Sequence, residues 1–380
     1  MTREIDIIVF GATGYTGRLV AEYLVGSAGI ATWAMAGRSA AKLAQVRELI
    51  GAPKNTPLIV ADAQDSAALH AMAERAKVVL TTAGPYQLYG DLLVAACAAA
   101  GTDYVDLAGE SNWIARMIGR HQAMARQTGA RLLFSGGFDS VPFDMGVYYV
   151  EEQAKARFGE YAPRVRGRVR AIDGGLSGGT MASGAATAAA AKTDPSIGTV
   201  LADPFALTPG FKGPEQPDLN ATYEDNVTGS WVSPFMMARI NTKTVHRSNF
   251  LLGHCWGKDF KYDEMTMTAG PNAPTAGFSV VPTLKPGEGP SREEREAGSY
   301  DLLYIAEYPD GRMLRASVHG DRDPGYGSTA KIIAECALCL VNDVSRDQTP
   351  GGCWTSVSAM AEPLMQRLQS RAGVTFAVEA

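Results

Sequence analysis

What this chain of 380 residues has little of narrows what it can be. A basic excess is missing. Lys and Arg number 35 against 40 Asp and Glu, and a formal net charge of -5 leaves nothing to neutralise a phosphate backbone. A nucleic-acid binder is therefore excluded, while small neutral or anionic ligands stay open. No stretch reaches the ~18 consecutive apolar residues of a bilayer span, and Met1 to Phe10 lacks the apolar core of a secretory signal. A cytosolic protein without a membrane span is expected. Cysteine is sparse: five, an odd number at irregular spacing, lay out no disulfide framework. Cys336 and Cys339 have redox spacing, yet they fall inside the apolar helical pattern of Ile332, Ile333, Ala337 and Leu340, with no second ligand pair nearby. They read as buried thiols, and no metal site is expected.

What is present begins at Asp6 to Gly17. Ile7 to Phe10 form the continuous apolar run of a strand covered on both faces, and Leu19, Val20, Tyr23 and Leu24 recur at helical spacing. Between them stands Gly11-Ala-Thr-Gly-Tyr-Thr-Gly17. In such a strand-turn-helix unit Gly11 allows the tight turn, Gly14 lets a diphosphate approach the backbone, and Gly17 lets helix pack closely on strand. The anion would rest on the helix N-terminus, with Thr13, Tyr15 and Thr16 beside it. A second strand ends at Gly37-Arg38-Ser39. An acidic residue there would accept the ribose 2′-hydroxyl of NAD, whereas Arg38, with Ser39 and Lys42, suits the 2′-phosphate of NADP(H). Ser39 also suits the cap of the next helix. Asp62 closes a third strand where such folds touch adenine. Ala83-Gly84-Pro85-Tyr86 follows a fourth, at the carboxyl edge where open α/β sheets bind ligands; Tyr86 either lines the nicotinamide pocket or caps the sheet edge. Further alternation through Phe134 predicts six parallel strands in the doubly wound order 3-2-1-4-5-6. Gly136-Gly-Phe-Asp-Ser140 then leaves the sixth strand, with Ser140 or Asp139 as helix cap and Asp139 and Asp144 as carboxylates for the cleft.

The second half changes character. Arg164, Arg166, Arg168 and Arg170 alternate with apolar or small residues as a period-two strand, whose basic face either clamps an anionic substrate or forms a paired sheet face. Ser177-Gly-Gly-Thr180 precedes an alanine-rich helix, Met181 to Lys192, and its start is either an anion seat or an ordinary cap. Residues 203–234 read as a long loop or lid with Phe205, Phe211, Trp231 and Phe235 as anchors or as a cover for a greasy ligand. Tyr300 to Tyr308 and Arg312 to His319 form a hairpin around Pro309-Asp310-Gly311. After it Tyr326 could donate a phenolic proton, oriented by His319 or Asp323, or could belong to a plain turn. The expected division is a first α/β domain at 1–145, an α+β domain at 146–328, and C-terminal helices at 329–380 that pack back on the first domain, the closing strand near Val374 to Val378 returning with them.

Gly11 to Gly17, Ala83 to Tyr86, Gly137-Phe-Asp-Ser-Val-Pro142, Ser177 to Thr180, Gly287-Glu-Gly-Pro-Ser291 and Asp323-Pro-Gly-Tyr326 together resemble the saccharopine dehydrogenase-like oxidoreductases, in the branch of the trans-acting enoyl reductases. The resemblance spans nearly the whole chain. It implies an NADP-binding Rossmann domain, an inserted α+β domain, C-terminal return of the chain, and a homodimer. The activity it suggests is hydride transfer from NADPH to an activated C=C bond such as an enoyl thioester. Tyr326, Tyr86 and Asp139 are then the catalytic candidates. No Tyr-x-x-x-Lys pair occurs, which argues against the carbonyl chemistry of short-chain dehydrogenases. Saccharopine-type imine reduction is the second reading, with the strand arginines as carboxylate clamps, and a non-catalytic NADP-binding sensor is the third.

Overall fold

The computed structural model describes residues 3–27, 31–175, 178–274 and 287–379. Ser177, which opens the Ser177-Gly-Gly-Thr180 stretch, lies outside these. The first half alternates as expected: β1 (Ile5–Phe10), α1 (Tyr15–Gly26), β2 (Trp33–Gly37), α2 (Ala40–Leu49), β3 (Leu58–Val60), α3 (Ser66–Arg75) and β4 (Ala76–Thr81). A short α4 (Tyr86–Tyr89), α5 (Asp91–Ala100), β5 (Asp103–Val105), α6 (Ser111–Thr128), β6 (Arg131–Leu133) and α7 (Val141–Phe158) follow. Strand β1 lies at the centre, paired in parallel with β2 (Val9 opposite Met35) and β4 (Val9 opposite Leu80). Its side chains divide by the period of two: Ile7 and Val9 enter the core that includes α1, Ile8 and Phe10 the core that includes α3, α5 and α6. That two-sided burial is why the strand reads as an unbroken apolar run.

The second half comprises β7 (Arg164–Asp173), α8 (Gly178–Thr193), α9 (Pro195–Ala202), β8 (Tyr223–Asp225), β9 (Ser230–Pro234), α10 (Ala238–Leu251), β10 (Lys261–Thr268) and α11 (Arg292–Ala297). After these come β11 (Ser299–Glu307), β12 (Met313–Gly320), a wide turn at Pro324–Ser328, α12 (Thr329–Asn342), β13 (Gly352–Trp354), α13 (Ser356–Arg367) and β14 (Val374–Glu379). Two seven-stranded sheets result among the described residues. The first runs β3-β2-β1-β4-β5-β6-β13, so the expected order 3-2-1-4-5-6 gains a strand from the C-terminal part of the chain. The second runs β14-β12-β11-β7-β10-β9-β8, antiparallel except where β7 and β10 run parallel.

Helix α12 is buried against α1, β4 and β5, which is why its pattern is apolar nearly all round. Cys336 and Cys339 are buried there as free thiols, and burial pushes the Cys339 thiol up to about 12. The last strand departs from expectation. β14 pairs with β12 on the edge of the second sheet, with Phe376 opposite Val318 and its ring 5.7 Å from that of Tyr149 on α7. The 203–234 segment is anchored: Phe205 is buried with its ring 4.6 Å from His246, and Phe211 lies 4.2 Å from His254. No helix among the described residues is long and apolar enough to cross a membrane.

The basic face of β7 is occupied from within. Arg168, fully buried, donates to Asp225 and Asp263 at 2.7 Å each, Arg166 to Glu307 at 2.8 Å, and Arg170 to Asp301 at 2.8 Å and Glu379 at 2.6 Å. Arg164 reaches Asp263 at 3.2 Å. The ladder ties β7 to β8, β10, β11 and β14. Removing one member of a buried pair strands the other charge, so Arg168→Met should lower the unfolding free energy by about 3–5 kcal/mol. Urea denaturation followed by circular dichroism measures it; a loss within experimental error would show the ladder to be ornamental.

Candidate active site

The carboxyl edge of the first sheet collects the loops after β1, β2, β4, β5 and β6. Gly11 adopts φ +88°, a conformation that L side chains rarely adopt, and its carbonyl accepts the Gly14 N–H at 2.9 Å. A Cβ at residue 17 would stand 2.7 Å from Thr82 Oγ1 and overlap the Gly11 carbonyl, so only glycine lets α1 lie this close to β1. Gly14 caps α1 without any side-chain bond. The first-turn N–H groups, which no carbonyl inside the helix can accept, therefore face the sheet edge as an anion seat.

One strand over, Arg38 is exposed and has no bonded partner among the described residues, and Lys42 is exposed beside it. Ser39 caps α2 by accepting the Lys42 N–H at 3.3 Å. No acidic residue closes β2, and Thr13 lies over Gly37. Asp62 closes β3, where its carboxylate accepts the Gln64 N–H at 2.9 Å. The residues present thus fit a dinucleotide whose ribose carries an extra phosphate: donors at the helix start, an unpaired guanidinium at β2.

The loop after β4 differs from expectation at its most conspicuous side chain. Tyr86 is buried; its hydroxyl donates to the Thr81 carbonyl at 3.0 Å and accepts the Leu107 N–H at 3.0 Å. Burial pushes that phenol far above its ordinary range. The hydroxyl is thus spent on the backbone, and Tyr86 is withdrawn as a proton donor: it locks the sheet edge. Its own N–H is received by Glu110 at 3.0 Å, and Glu110 also accepts the Gly109 N–H at 3.1 Å and a bond from Ser183 of α8. Gln87 adds a bond to Thr187 at 3.2 Å. Helix α8 is in this way strapped over Ala83, Gly84 and Pro85.

Sequence reasoning missed Glu110 and, beside it, Asp106. The Asp106 carboxylate is buried and accepts Tyr104 Oη at 2.9 Å, Ala108 N–H at 3.0 Å and Ser135 N–H at 2.8 Å, and burial still lifts it to about 7. Ser135, at φ +60°, is one of two non-glycine residues in the left-handed region among the described residues. The signal was available: Asp106-Leu-Ala-Gly-Glu110 leaves β5 at the same edge as the motifs that were singled out.

After β6, Asp139 is half-buried and has no hydrogen-bond partner among the described residues; desolvation raises its carboxyl to about 6. Neither Asp139 nor Ser140 caps α7 through its side chain. Ser140 Oγ instead lies 3.5 Å from Asn241 Oδ1, and Asn241 donates at 2.9 Å to Glu264, a buried acid raised to about 8 by desolvation. Asp144 is corrected too. It accepts Ser356 Oγ at 2.8 Å and the Val357 N–H at 3.0 Å, capping α13 from within the core, and does not face a cleft.

Tyr326 stands on the wide turn before α12, buried, its hydroxyl 2.9 Å from Thr180 Oγ1 at the start of α8 and its ring edge-on to Tyr15 at 5.1 Å. Thr180 orients the phenol. His319 is exposed on β12, and Asp323 is spent on the Tyr326 and Gly327 N–H groups at 3.2 and 2.6 Å, so neither takes the role expected of it. Thr329, one turn on, accepts the Phe138 N–H at 3.1 Å and so draws the Asp139 loop to this turn. Tyr15 opens α1; its hydroxyl accepts from Arg295 at 3.0 Å and donates to the Pro290 carbonyl.

A doubly wound sheet with a glycine turn, an uncapped helix start and an arginine at the end of β2 defines an NAD(P)-dependent oxidoreductase. The profile of the saccharopine dehydrogenase NADP binding domain matches residues 7–133. A Mycobacterium tuberculosis relative is 38% identical, covering 98% of this chain and 97% of its own length. The trans-acting enoyl reductase of Mycobacterium leprae is 37% identical with 98% and 97% covered. The chain belongs to the saccharopine dehydrogenase-like oxidoreductases, in the trans-acting enoyl reductase branch. Its fold is that of the apo saccharopine dehydrogenase (L-Glu forming) from Saccharomyces cerevisiae, at a TM-score of 0.55, 11% identity, and 99% and 100% coverage.

Because Arg38 has no bonded partner among the described residues, its guanidinium gives up no ion pair seen there by binding a phosphate. Arg38→Glu should weaken NADPH by roughly 10–100-fold, the worth of a charge-assisted bond, and leave NADH nearly unchanged. Fluorescence titration of both nucleotides reads the ratio, and parallel losses for the two would remove the assignment.

Proposed function

We propose that this chain reduces the C=C bond of an enoyl thioester with NADPH, preferred over NADH. The observation that carries the reading is the position of Tyr326: a buried phenol held by Thr180 and packed against the first residue of the coenzyme helix. When bound, NADPH supplies hydride to the β-carbon. The polypeptide has two tasks left, to stabilise the negative charge that develops on the thioester oxygen and to deliver a proton to the α-carbon. Tyr326 Oη is assigned to the first, because a preorganised hydroxyl in a water-poor site does not reorganise as charge grows. Asp139 is assigned to the second. Its carboxyl has no bonded partner among the described residues, and its raised affinity for a proton suits a general acid.

Imine reduction on an amino acid is less well supported, since the guanidinium groups of β7 are engaged by carboxylates of their own sheet. In the proposed division residues 1–145 hold the coenzyme through Gly11 to Gly17, Arg38, Ser39, Lys42, Asp62 and the 83–86 loop; residues 146–328 shape the substrate cleft, and 329–380 close the chain. A homodimer, implied by the family resemblance, and a cytosolic location belong to the same proposal.

Single-turnover oxidation of bound NADPH against crotonyl thioesters should be observed, and Tyr326→Phe should slow it by roughly 10²-fold. Silence across thioesters and imines alike would favour the non-catalytic sensor. The pH profile is a separate check. A general acid works while protonated, so kcat/KM should fall as pH rises through about 6, and Asp139→Asn should remove that inflection. An unchanged profile in the variant would release Asp139 from the reaction.

A further inference from the structure

We propose that the basic groove along the outer flank of α1 seats the phosphate of a phosphopantetheine arm, the group on which acyl thioesters are presented, and that Tyr326 marks where the arm meets the reaction centre. The inference rests on the enoyl thioester reading. A cavity of about 680 Å³ lies between α1, α11, the wide turn and the start of α12. Arg292, Arg295, Arg322, Lys331 and Arg371 line it against two carboxylates, Glu22 and Glu296. Glu22 is taken by Arg292. Asp321 faces both Arg322 at 3.5 Å and Lys331 at 3.4 Å, and the Arg371 guanidinium has no bonded partner among the described residues. A local surplus of positive charge therefore stands on a chain whose net charge is -5. Such a concentration focuses the field on an incoming anion.

The groove continues toward the coenzyme end of the helix. A second cavity of about 540 Å³ shares Leu19, Glu22, Arg292 and Arg295 with the first and adds Arg18 and Tyr15. Arg38 and Lys42, assigned to the coenzyme, line neither cavity, so this charge is left over once NADP(H) is accounted for. Leu19, Tyr23 and Ala330 supply apolar wall for the uncharged length of an arm. Tyr326 and Gly327 form one wall, and the Tyr326 hydroxyl lies 2.9 Å from Thr180 Oγ1. A phosphate held by several guanidinium groups would fix the arm's register, so that the thioester arrives at Tyr326 already placed.

Calorimetric titration of the NADP+-saturated full chain with phosphopantetheine and with pantetheine tests the groove without turnover. The phosphorylated probe should bind at least about tenfold more tightly, with an advantage that shrinks as salt rises. The double variant Arg322→Gln/Arg371→Gln should lose that advantage, and Lys192→Gln, on the exposed end of α8, should keep it. Displacement of phosphopantetheine by inorganic phosphate in the unaltered protein makes the test independent of how the variants fold. Equal affinity for the two probes, binding of neither, or full retention by the double variant overturns the proposal. Crotonyl-N-acetylcysteamine separates the two readings. Its reduction alongside no preference for the phosphorylated probe sinks the groove alone; firm binding of phosphopantetheine with no thioester reduced sinks the reaction alone. Comparing KM for crotonyl-coenzyme A and for the same acyl group on a carrier protein shows which source of the phosphate the groove serves.

Discussion

Helix α1 lies so close on β1 that residue 17 has no room for a side chain, and this closeness decides where the amino end of the helix stands. Its unpaired N–H groups are delivered to the sheet edge, where a diphosphate is favoured by bonds and by the helix dipole together. The same placement sets Tyr15, the first helical residue. From there its hydroxyl holds the Pro290 carbonyl and its ring meets Tyr326, so segments nearly three hundred residues away in sequence are assembled on one helix start.

Around that start the fold spends its buried polar groups on its own backbone. Tyr86, Glu110 and Asp106 bind main-chain groups of the β4 and β5 loops, which fixes the floor of the site. Helix α10 is the extreme case, with Asn241, Lys243, Arg247 and Ser248 all buried. Lys243 Nζ donates to the carbonyls of Leu201 at 2.9 Å and Arg239 at 2.7 Å, and Arg247 donates to those of Leu207 and Cys353. A cation near the last carbonyls of α9 satisfies acceptors that the helix leaves open. These cations thereby pin the end of α9 and the segment after it, the region that a sequence rich in Pro and Gly makes look free.

How much was legible follows from the range of each interaction. The glycine turn, the arginine after β2 and the alternation of strands and helices are local patterns, and each is written in a window of a dozen residues. The four arginines of β7 were visible as a face, but their partners Asp225, Asp263, Asp301, Glu307 and Glu379 are scattered over 155 positions, so pairing could not be told from a free clamp. Tyr86 misled for the same reason. A tyrosine at a ligand-binding edge is chemically able to donate a proton, and what disqualifies it is the Thr81 carbonyl and the Leu107 N–H, which only the folded loop brings to its hydroxyl.

The sequence alone determined the doubly wound sheet, the helix start proposed as the anion seat and the cation beside it, because strand period, glycine conformation and charge act between near neighbours. Tertiary structure decided which acids and phenols stay available: Asp144 was drawn into a helix cap, β14 to the second sheet, and Tyr326 to Thr180. Availability depends on whether a polar atom has already found a partner, and a buried polar group takes whichever partner the packing of distant segments brings within reach.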